Sequence, residues 1–449
     1  PATGGAPDTY RVTATPGGQS VDVSGATTSA DVPAIDHGVP VTFTVQAIYG
    51  ATVAPASDAS LAVIDAGTRL TPIAPTRILD TRAGSDHHVF PTLGTGGSGD
   101  LPVAGGTTGI PAEAEAVVLN VTVTGPTAGG FLTAYPTGEA RPQASNLNFV
   151  PGQTVANLVT VKVGASHSIS LYNSFGATDA VVDIVGYYSG SSAAATYTAQ
   201  SPTRVLDTRP GSGHQVFSTL ASGGKGNLVV RGGSTGIPAE ATAVVLNLTA
   251  TGPTAGGYVT AYPTAGAPNN PPVASALNFV PGSTVANLVT VQVGQGDSIT
   301  LFNSFGSTDL VADVVGYFRP LDATGGAFHP LSPTRVLDTR ANSGHRVFPA
   351  LGSGQHQDLV VADGIAVPAN AFGVLGNLTA TGPTASGYLA AYPTAAPPNN
   401  PPLASNLNFT AHQTVPNLSS IKVGLSGKIS IFNSFGSTDV VLDLAGWYG

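Results

Sequence analysis

The sequence predicts an all-β protein built from three tandem antiparallel β-sandwich modules, with a shorter β-rich unit ahead of them. Three observations carry this prediction: motifs that recur at a domain-length interval, a two-residue alternation of apolar and polar side chains, and a composition rich in turn formers. With 57 Gly and 36 Pro among 449 residues, the chain favours many turns and short strands over long helices. No segment has a convincing helical period.

Two motifs mark the repeat. Pro-Thr-Arg-(Ile/Val)-Leu-Asp-Thr-Arg occupies residues 75–82, 202–209 and 333–340, and Asn-Ser-Phe-Gly-x-Thr-Asp occupies residues 173–179, 303–309 and 433–439. The aspartate of the first motif recurs after 127 and then 131 residues, which is the length of a whole domain rather than of a solenoid unit. The predicted divisions are an N-terminal unit at 1–66, module 1 at 67–188, module 2 at 189–318 and module 3 at 319–449.

Strands are predicted from the alternation inside each module. In residues 117–123 every second residue is valine or leucine, so one face is apolar and the other carries Asn120 and Thr122. Residues 179–185 are apolar on both faces, which is typical of a central strand between two layers. Seven to nine strands per module favour a two-sheet, jelly-roll-like sandwich. The joints at 189–201 and 319–332 are short, so neighbouring modules are expected to touch.

The composition excludes several classes of function. Only 9% of residues are charged, and the net charge is −9, which argues against a nucleic-acid partner. No run of 18 apolar residues exists to form a transmembrane segment. Cysteine and methionine are absent, so disulfides and thiolate metal sites are excluded. A chain that begins at Pro1 and lacks methionine is expected to come from a longer, exported precursor, and its weakly charged surface favours self-association.

Two resemblances extend this interpretation. Residues 1–66, with strand-like Tyr10–Thr15 and Val41–Ala47, resemble the later part of a fibronectin type III domain, although Val41 stands where that family usually has a tyrosine. The module pattern, from the LDTR motif through Leu-Asn-Phe to endings such as Gly186-Tyr187-Tyr188, resembles a repeat of exported actinobacterial and phage-associated surface proteins. That resemblance covers residues 75–449 and implies a surface-exposed, non-enzymatic role without a defined ligand.

The candidate site residues are charged groups that recur once per module. They are an Asp-Thr-Arg triplet after the first strand and an aspartate among the valines of the last strand: Asp80, Arg82 and Asp183; Asp207, Arg209 and Asp313; Asp338, Arg340 and Asp443. A buried carboxylate needs a cation or several donors, so each triplet arginine is expected to pair with the last-strand aspartate of its own module. The alternative is a sugar or metal site presented once per module.

Other chemistry is less well supported. Gly232–Gly236 matches the Gly-x-Ser-x-Gly pattern of hydrolases, but no strand-to-helix elbow is predicted there and module 1 has Thr107 instead of the serine. Single histidines, His87, His214 and His345, recur beside phenylalanines and could meet only if the modules closed into a ring. Asn157 and its equivalents are expected to bond to backbone at a sheet edge. No enzyme activity, cofactor or metal is predicted.

Two classes of function remain at this stage. The first is an extracellular structural or adhesive protein that self-associates at the cell surface, such as a stalk or filament subunit, or a phage tail or virion decoration protein. The second is an array of carbohydrate-binding modules with a surface glycan as its partner, which the recurrent Asp, Asn and aromatic residues favour. The single tryptophan counts against the second class.

Overall fold

The computed structural model describes residues 6–449 except 17, 31, 33–39, 65–66, 107, 191–193, 268, 273 and 321–324. In the N-terminal unit the described residues form one antiparallel sheet, ordered β2-β1-β3-β4 with β5 on β3. Its strands are β1 (Thr9–Thr15), β2 (Ser20–Ser24), β3 (Pro40–Tyr49), β4 (Thr52–Val53) and β5 (Val63–Ile64). A second sheet facing this one is not present among the described residues of the unit, and the resemblance to a fibronectin type III domain stays a prediction.

The described residues of each module form eight strands. Module 1 has β6 (Arg69–Asp80), β7 (Ser98–Pro102), β8 (Ala114–Thr124), β9 (Gly130–Pro136), β10 (Leu147–Phe149), β11 (Val155–Lys162), β12 (Ser168–Asn173) and β13 (Asp179–Ser189). Module 2 has β14 (Thr196–Asp207), β15 (Lys225–Val229), β16 (Ala243–Thr251), β17 (Gly257–Pro263), β18 (Leu277–Phe279), β19 (Thr284–Gln292), β20 (Ser298–Asn303) and β21 (Asp309–Arg319). Module 3 has β22 (Phe328–Asp338), β23 (His356–Val360), β24 (Gly373–Thr381), β25 (Gly387–Pro393), β26 (Leu407–Phe409), β27 (Val415–Lys422), β28 (Lys428–Asn433) and β29 (Asp439–Tyr448).

The sheets have the jelly-roll order. In module 1 the central sheet is β11-β8-β13-β6 and the outer sheet is β10-β9-β12-β7, and modules 2 and 3 repeat both orders. The first and last strands are therefore neighbours in the central sheet, as two interleaved Greek keys require. Helix among the described residues is limited to four three-residue 3₁₀ turns, so the all-β, jelly-roll-like prediction is confirmed. No helix in the described part of the chain is long and apolar enough to cross a membrane.

Each sandwich has its own apolar core. Val117, Leu119, Val121 and Val123 of β8 all pack into the core of module 1, on the face that the alternation predicts. Burying one such side chain stabilises the fold by about 1.5–3 kcal/mol relative to exposure. Modules 2 and 3 have equivalent cores.

The other face of each central sheet packs on a fourth apolar cluster, to which all three modules contribute. At its centre the hydroxyls of Tyr188 and Tyr448 lie 2.9 Å apart, and the tilted rings of Tyr197 and Tyr448 pack with centroids 4.2 Å apart. Backbone bridges also join the beginnings of the three modules, as between Leu70 and Ala195. The central sheets are thus buried on both faces, which explains the apolar character of residues 179–185.

Asparagines close the three modules into a ring. The Nδ2 group of an edge-strand asparagine in each module donates to the Oδ1 atom of a central-strand asparagine in another: Asn157 to Asn377 at 3.0 Å, Asn287 to Asn120 at 3.2 Å and Asn417 to Asn247 at 3.0 Å. Module 1 donates to module 3, module 2 to module 1 and module 3 to module 2, so the three hydrogen bonds are related by threefold pseudosymmetry. Asn157 also bonds the carbonyl of Asn146, as expected for an asparagine at a sheet edge.

Candidate functional site

The buried aspartate of each last strand is paired by an arginine, but not by the one that the sequence analysis predicts. Arg77 donates from Nε and Nη2 to the two carboxylate oxygens of Asp183, at 2.9 and 3.1 Å. A register shift between Val182 and Asp183 brings Arg77 directly opposite Asp183 across β6 and β13. The same pairing joins the first arginine of the motif to the buried aspartate in the other modules, as Arg204–Asp313 and Arg335–Asp443.

The predicted pairing of Arg82 with Asp183 is therefore wrong, and so are the equivalents Arg209–Asp313 and Arg340–Asp443. Arg82 follows the end of β6, and its guanidinium folds back onto Asp80, with Nε 2.8 Å and Nη2 2.5 Å from the carboxylate oxygens. Its side chain remains 50% exposed. Arg209 and Arg340 fold back onto Asp207 and Asp338 in the same way.

The two aspartates of a module have opposite electrostatic environments. Hydrogen bonds from Arg82 hold the pKa of Asp80 below its ordinary value, against a smaller opposing effect of burial. Burial raises the pKa of Asp183 despite the opposing hydrogen bonds from Arg77. Modules 2 and 3 repeat both directions, with the pKa lowered for Asp207 and Asp338 and raised for Asp313 and Asp443.

These ion pairs lie at clefts between modules. The cleft between modules 1 and 2, named the 1–2 cleft, has a volume of about 220 Å³. Module 1 provides two arginines, three threonines and a valine, and module 2 provides an aromatic ring and small polar residues. The lining is Arg77, Arg82, Thr122, Thr124, Thr154 and Val181 from module 1, with Tyr258, Ala274, Ser275 and Asn278 from module 2.

The cleft between modules 3 and 1, named the 3–1 cleft, has equivalent walls and a larger volume of about 360 Å³. Module 3 supplies the arginine and threonine wall, and module 1 supplies the aromatic wall. The lining is Arg335, Arg340, Thr379, Thr381, Thr414 and Val441 from module 3, with Phe131, Arg141, Gln143, Ala144, Ser145 and Asn148 from module 1.

Modules 2 and 3 bring the third set of equivalent residues together. There Arg204 Nη2 donates to the carbonyl oxygen of Leu403 at 2.9 Å, and Asn247 bonds the carbonyl of Ser405. The loop of module 3 that carries Leu403 therefore contacts the arginine wall of module 2. In the 1–2 and 3–1 clefts the arginines and threonines of one module face the aromatic residue of the next. The two clefts differ in the loop that the second module contributes.

The cleft walls offer fixed hydrogen-bonding groups beside an aromatic surface. The Asp80 carboxylate orients the Arg82 guanidinium, so that less side-chain entropy is lost when a ligand binds it. Thr124 and Thr154 join their hydroxyls at 2.9 Å on the rim. Thr122 is 5% exposed, and its Oγ1 atom is buried without a hydrogen-bond partner. A buried hydroxyl without a partner is uncommon, and an ordered water can satisfy it.

The remaining sequence candidates do not join this site. His87, His214 and His345 are exposed, and their backbone carbonyls accept bonds from Asp80, Asp207 and Asp338. In the described residues no three His, Asp or Glu side chains are grouped to hold a metal ion. The Gly-x-Ser-x-Gly match lies on a three-residue 3₁₀ turn, Gly233–Thr235, rather than on a strand-to-helix elbow.

Sequence reasoning did not identify Arg77, Thr122 or the cleft aromatics Phe131 and Tyr258 as site residues. Arg77 belongs to the same repeated motif as Arg82, and the bulge that aligns it with Asp183 has no sequence signature. The polar face of residues 117–123, with Asn120 and Thr122, was the available signal. A polar side chain repeated on a strand that is otherwise apolar indicates a contact between modules or with a ligand.

Comparisons with known proteins add little. No protein-family model matches the chain, and no curated protein matches it in sequence. Among solved structures, a chain from the atomic structure of Sulfolobus Turreted Icosahedral Virus is similar at 8% identity and a TM-score of 0.17, over 85% of this chain and 92% of that chain. A likeness of that degree supports no argument about function.

Proposed function

We propose that this protein is a non-catalytic extracellular adhesive protein whose three modules form one head that binds carbohydrate in the clefts between them. The observation that carries the proposal is the construction of the 1–2 and 3–1 clefts, in which the arginine and threonine wall of one module faces an aromatic ring of the next module. The extracellular location rests on the resemblance of the repeat to exported surface proteins. Jelly rolls occur in lectins and in capsids, so the fold by itself does not choose between these roles.

The chemistry of the clefts fits a saccharide. A sugar ring presents many hydroxyls, each needing donors and acceptors, and the cleft supplies both through Thr124, Thr154 and Asn278. The partly buried ring of Tyr258 offers an apolar surface against which the C–H face of a sugar can pack. Arg82 adds planar donors that are already oriented.

The test is a glycan array followed by calorimetric titration of the best binder with the full chain. Alanine at the cleft aromatics Phe131 and Tyr258 should reduce affinity about tenfold or more, because a well-packed aromatic anchor contributes about 2 kcal/mol or more to binding. The matched control is Phe305→Ala, which removes an aromatic ring that is 59% exposed on a turn outside the clefts. Failure of every glycan to bind, or equal affinity of cleft and control variants, would refute carbohydrate binding.

A second candidate, a self-associating structural subunit, is favoured by the N-terminal sheet. Large apolar side chains are exposed there, including Val45, Val53 and Leu61, which is 90% exposed. Exposed apolar patches commonly mark association surfaces. Light scattering over a concentration series should then show assemblies that Val45→Thr with Val53→Thr reduces, whereas a monomer at all concentrations would exclude this candidate.

A further inference from the structure

The 1–2 and 3–1 clefts differ most in the loop that follows strand β9 in module 1 and strand β17 in module 2. These strands carry the cleft aromatics Phe131 and Tyr258. In module 1 six residues separate Thr137 from Ala144. Nine residues, 265–273 and 395–403, stand at the equivalent place in modules 2 and 3. The shorter loop lines the 3–1 cleft, which has a volume of about 360 Å³ compared with about 220 Å³ for the 1–2 cleft.

The shorter loop also carries a cation that the longer loops lack. Counted back from the shared alanine, Arg141 stands where modules 2 and 3 have Pro271 and Pro401. Its guanidinium carbon lies 4.3 Å from the centre of the Tyr172 ring, a cation–π contact that holds the side chain beside the cleft. Arg141 is exposed and lines the 3–1 cleft together with Arg340.

The 3–1 cleft has one more cation than the 1–2 cleft, in a protein of net charge −9. Arg335, Arg340 and Arg141 line it, and Asp443 and Asp338 pair with the first two of these arginines. The carboxylate of Asp439 also lies near Arg340, as that of Asp179 lies near Arg82 in the 1–2 cleft. The 3–1 cleft therefore differs by one additional guanidinium, that of Arg141. In the 1–2 cleft Arg77 and Arg82 are balanced by Asp183 and Asp80.

Glu139, on the same loop, does not cancel this charge. One of its carboxylate oxygens accepts a hydrogen bond from Ser332 of module 3. The other lies 3.8 Å from Lys162 Nζ. The glutamate charge is thus offset by that lysine, and Glu139 does not line the cleft.

We propose that the 3–1 cleft binds an acidic saccharide, with a uronic-acid carboxylate held by Arg141 and Arg340. The sugar ring packs on Phe131, and its hydroxyls bond with Thr379 and Asn148. A guanidinium binds a carboxylate through charge-assisted, often bidentate bonds. The cleft volume falls within the range of about 300–1,000 Å³ typical of small-molecule sites, more than a simple oxyanion fills. This inference rests on the proposed function, because it names the ligand class for one of the clefts.

The experiment compares oligogalacturonate with its fully methyl-esterified form, titrated calorimetrically into the full chain. The two probes share every ring and hydroxyl and differ only at the carboxyl group, which is an anion in one and a neutral methyl ester in the other. The unesterified oligomer should bind about tenfold or more tightly, and Arg141→Gln should abolish that preference while Arg141→Lys retains part of it. Arg141→Gln removes an exposed side chain and its contact with Tyr172, and a melting temperature equal to the parent's checks that the fold is preserved. Lys225→Gln, which removes one positive charge from module 2, should leave both affinities unchanged.

Each result separates the two proposals. Equal affinity for acid and ester, or a preference that survives Arg141→Gln, overturns the acidic-saccharide assignment while leaving carbohydrate binding in place. Competition by inorganic sulfate at concentrations equal to those of the oligomer overturns it also, since the cleft would then be a simple anion site. Binding of neither probe overturns the assignment, and only the absence of binding across the whole glycan array also removes the proposed function.

Discussion

Replacing Arg77 with alanine should destabilise the protein far more than replacing Arg82, although both arginines belong to one motif. The Asp183 side chain is 1% exposed and receives both of its charged hydrogen bonds from Arg77. Removing Arg77 leaves that carboxylate buried without its cation, a change that costs about 3–5 kcal/mol. Arg82→Ala should cost about 1–2 kcal/mol, because that side chain is half exposed and its backbone N–H still bonds Asp80.

The assay is urea unfolding followed by far-UV circular dichroism at pH 7 and at lower pH. Without Arg77 the pKa of Asp183, already raised by burial, rises further above its unfolded-state value. The folded state then binds the proton more tightly than the unfolded state, so the deficit of Arg77→Ala relative to the parent should shrink as the pH falls toward 4. A cost for Arg82→Ala equal to that for Arg77→Ala, or a deficit that grows on acidification, would refute this reasoning.

Two further predictions concern acid stability and the ring. The pKa values of Asp80, Asp207 and Asp338 are lowered in the folded state, so these carboxylates stabilise the fold above pH 3.8, the ordinary pKa of aspartate. The melting temperature should therefore fall as the pH drops below 3.8, and Asp80→Asn should make that fall less steep. An Asp80→Asn profile identical to that of the parent would contradict this prediction. Isolated module 1 contains Asn120, Asn157 and Ser145, which represent both sides of the interface, so residues 67–188 should form a homotrimer in multi-angle light scattering rather than a stable monomer.

The sequence predicts the sandwich because a two-residue period requires one buried face, and Val117, Leu119, Val121 and Val123 lie in the core accordingly. It does not predict which arginine meets Asp183, since one bulge changes the register and exchanges the partners. Ring closure depends on how the joints at 189–201 and 319–332 orient one module relative to the next. The amino-acid composition of these joints does not specify that orientation. The clefts follow from closure, so Tyr258 and Arg82 could not be placed opposite each other from sequence alone.

The closed ring is the claim on which the clefts depend, and amide hydrogen exchange tests it directly. The backbone N–H of Leu418 donates to Oδ1 of Asn157 at 3.1 Å, across 261 residues of sequence. The equivalent bonds run from Leu158 to Asn287 and from Leu288 to Asn417. Each is a bond between edge strands of different modules.

Asn157→Ala should therefore increase the exchange rate of the Leu418 amide selectively, with the amides of Leu158 and Leu288 much less affected. Asn287→Ala should act in the same way on Leu158. Three modules arranged as an open rod would leave Leu418 exchange unchanged by Asn157→Ala, and that result would contradict the account.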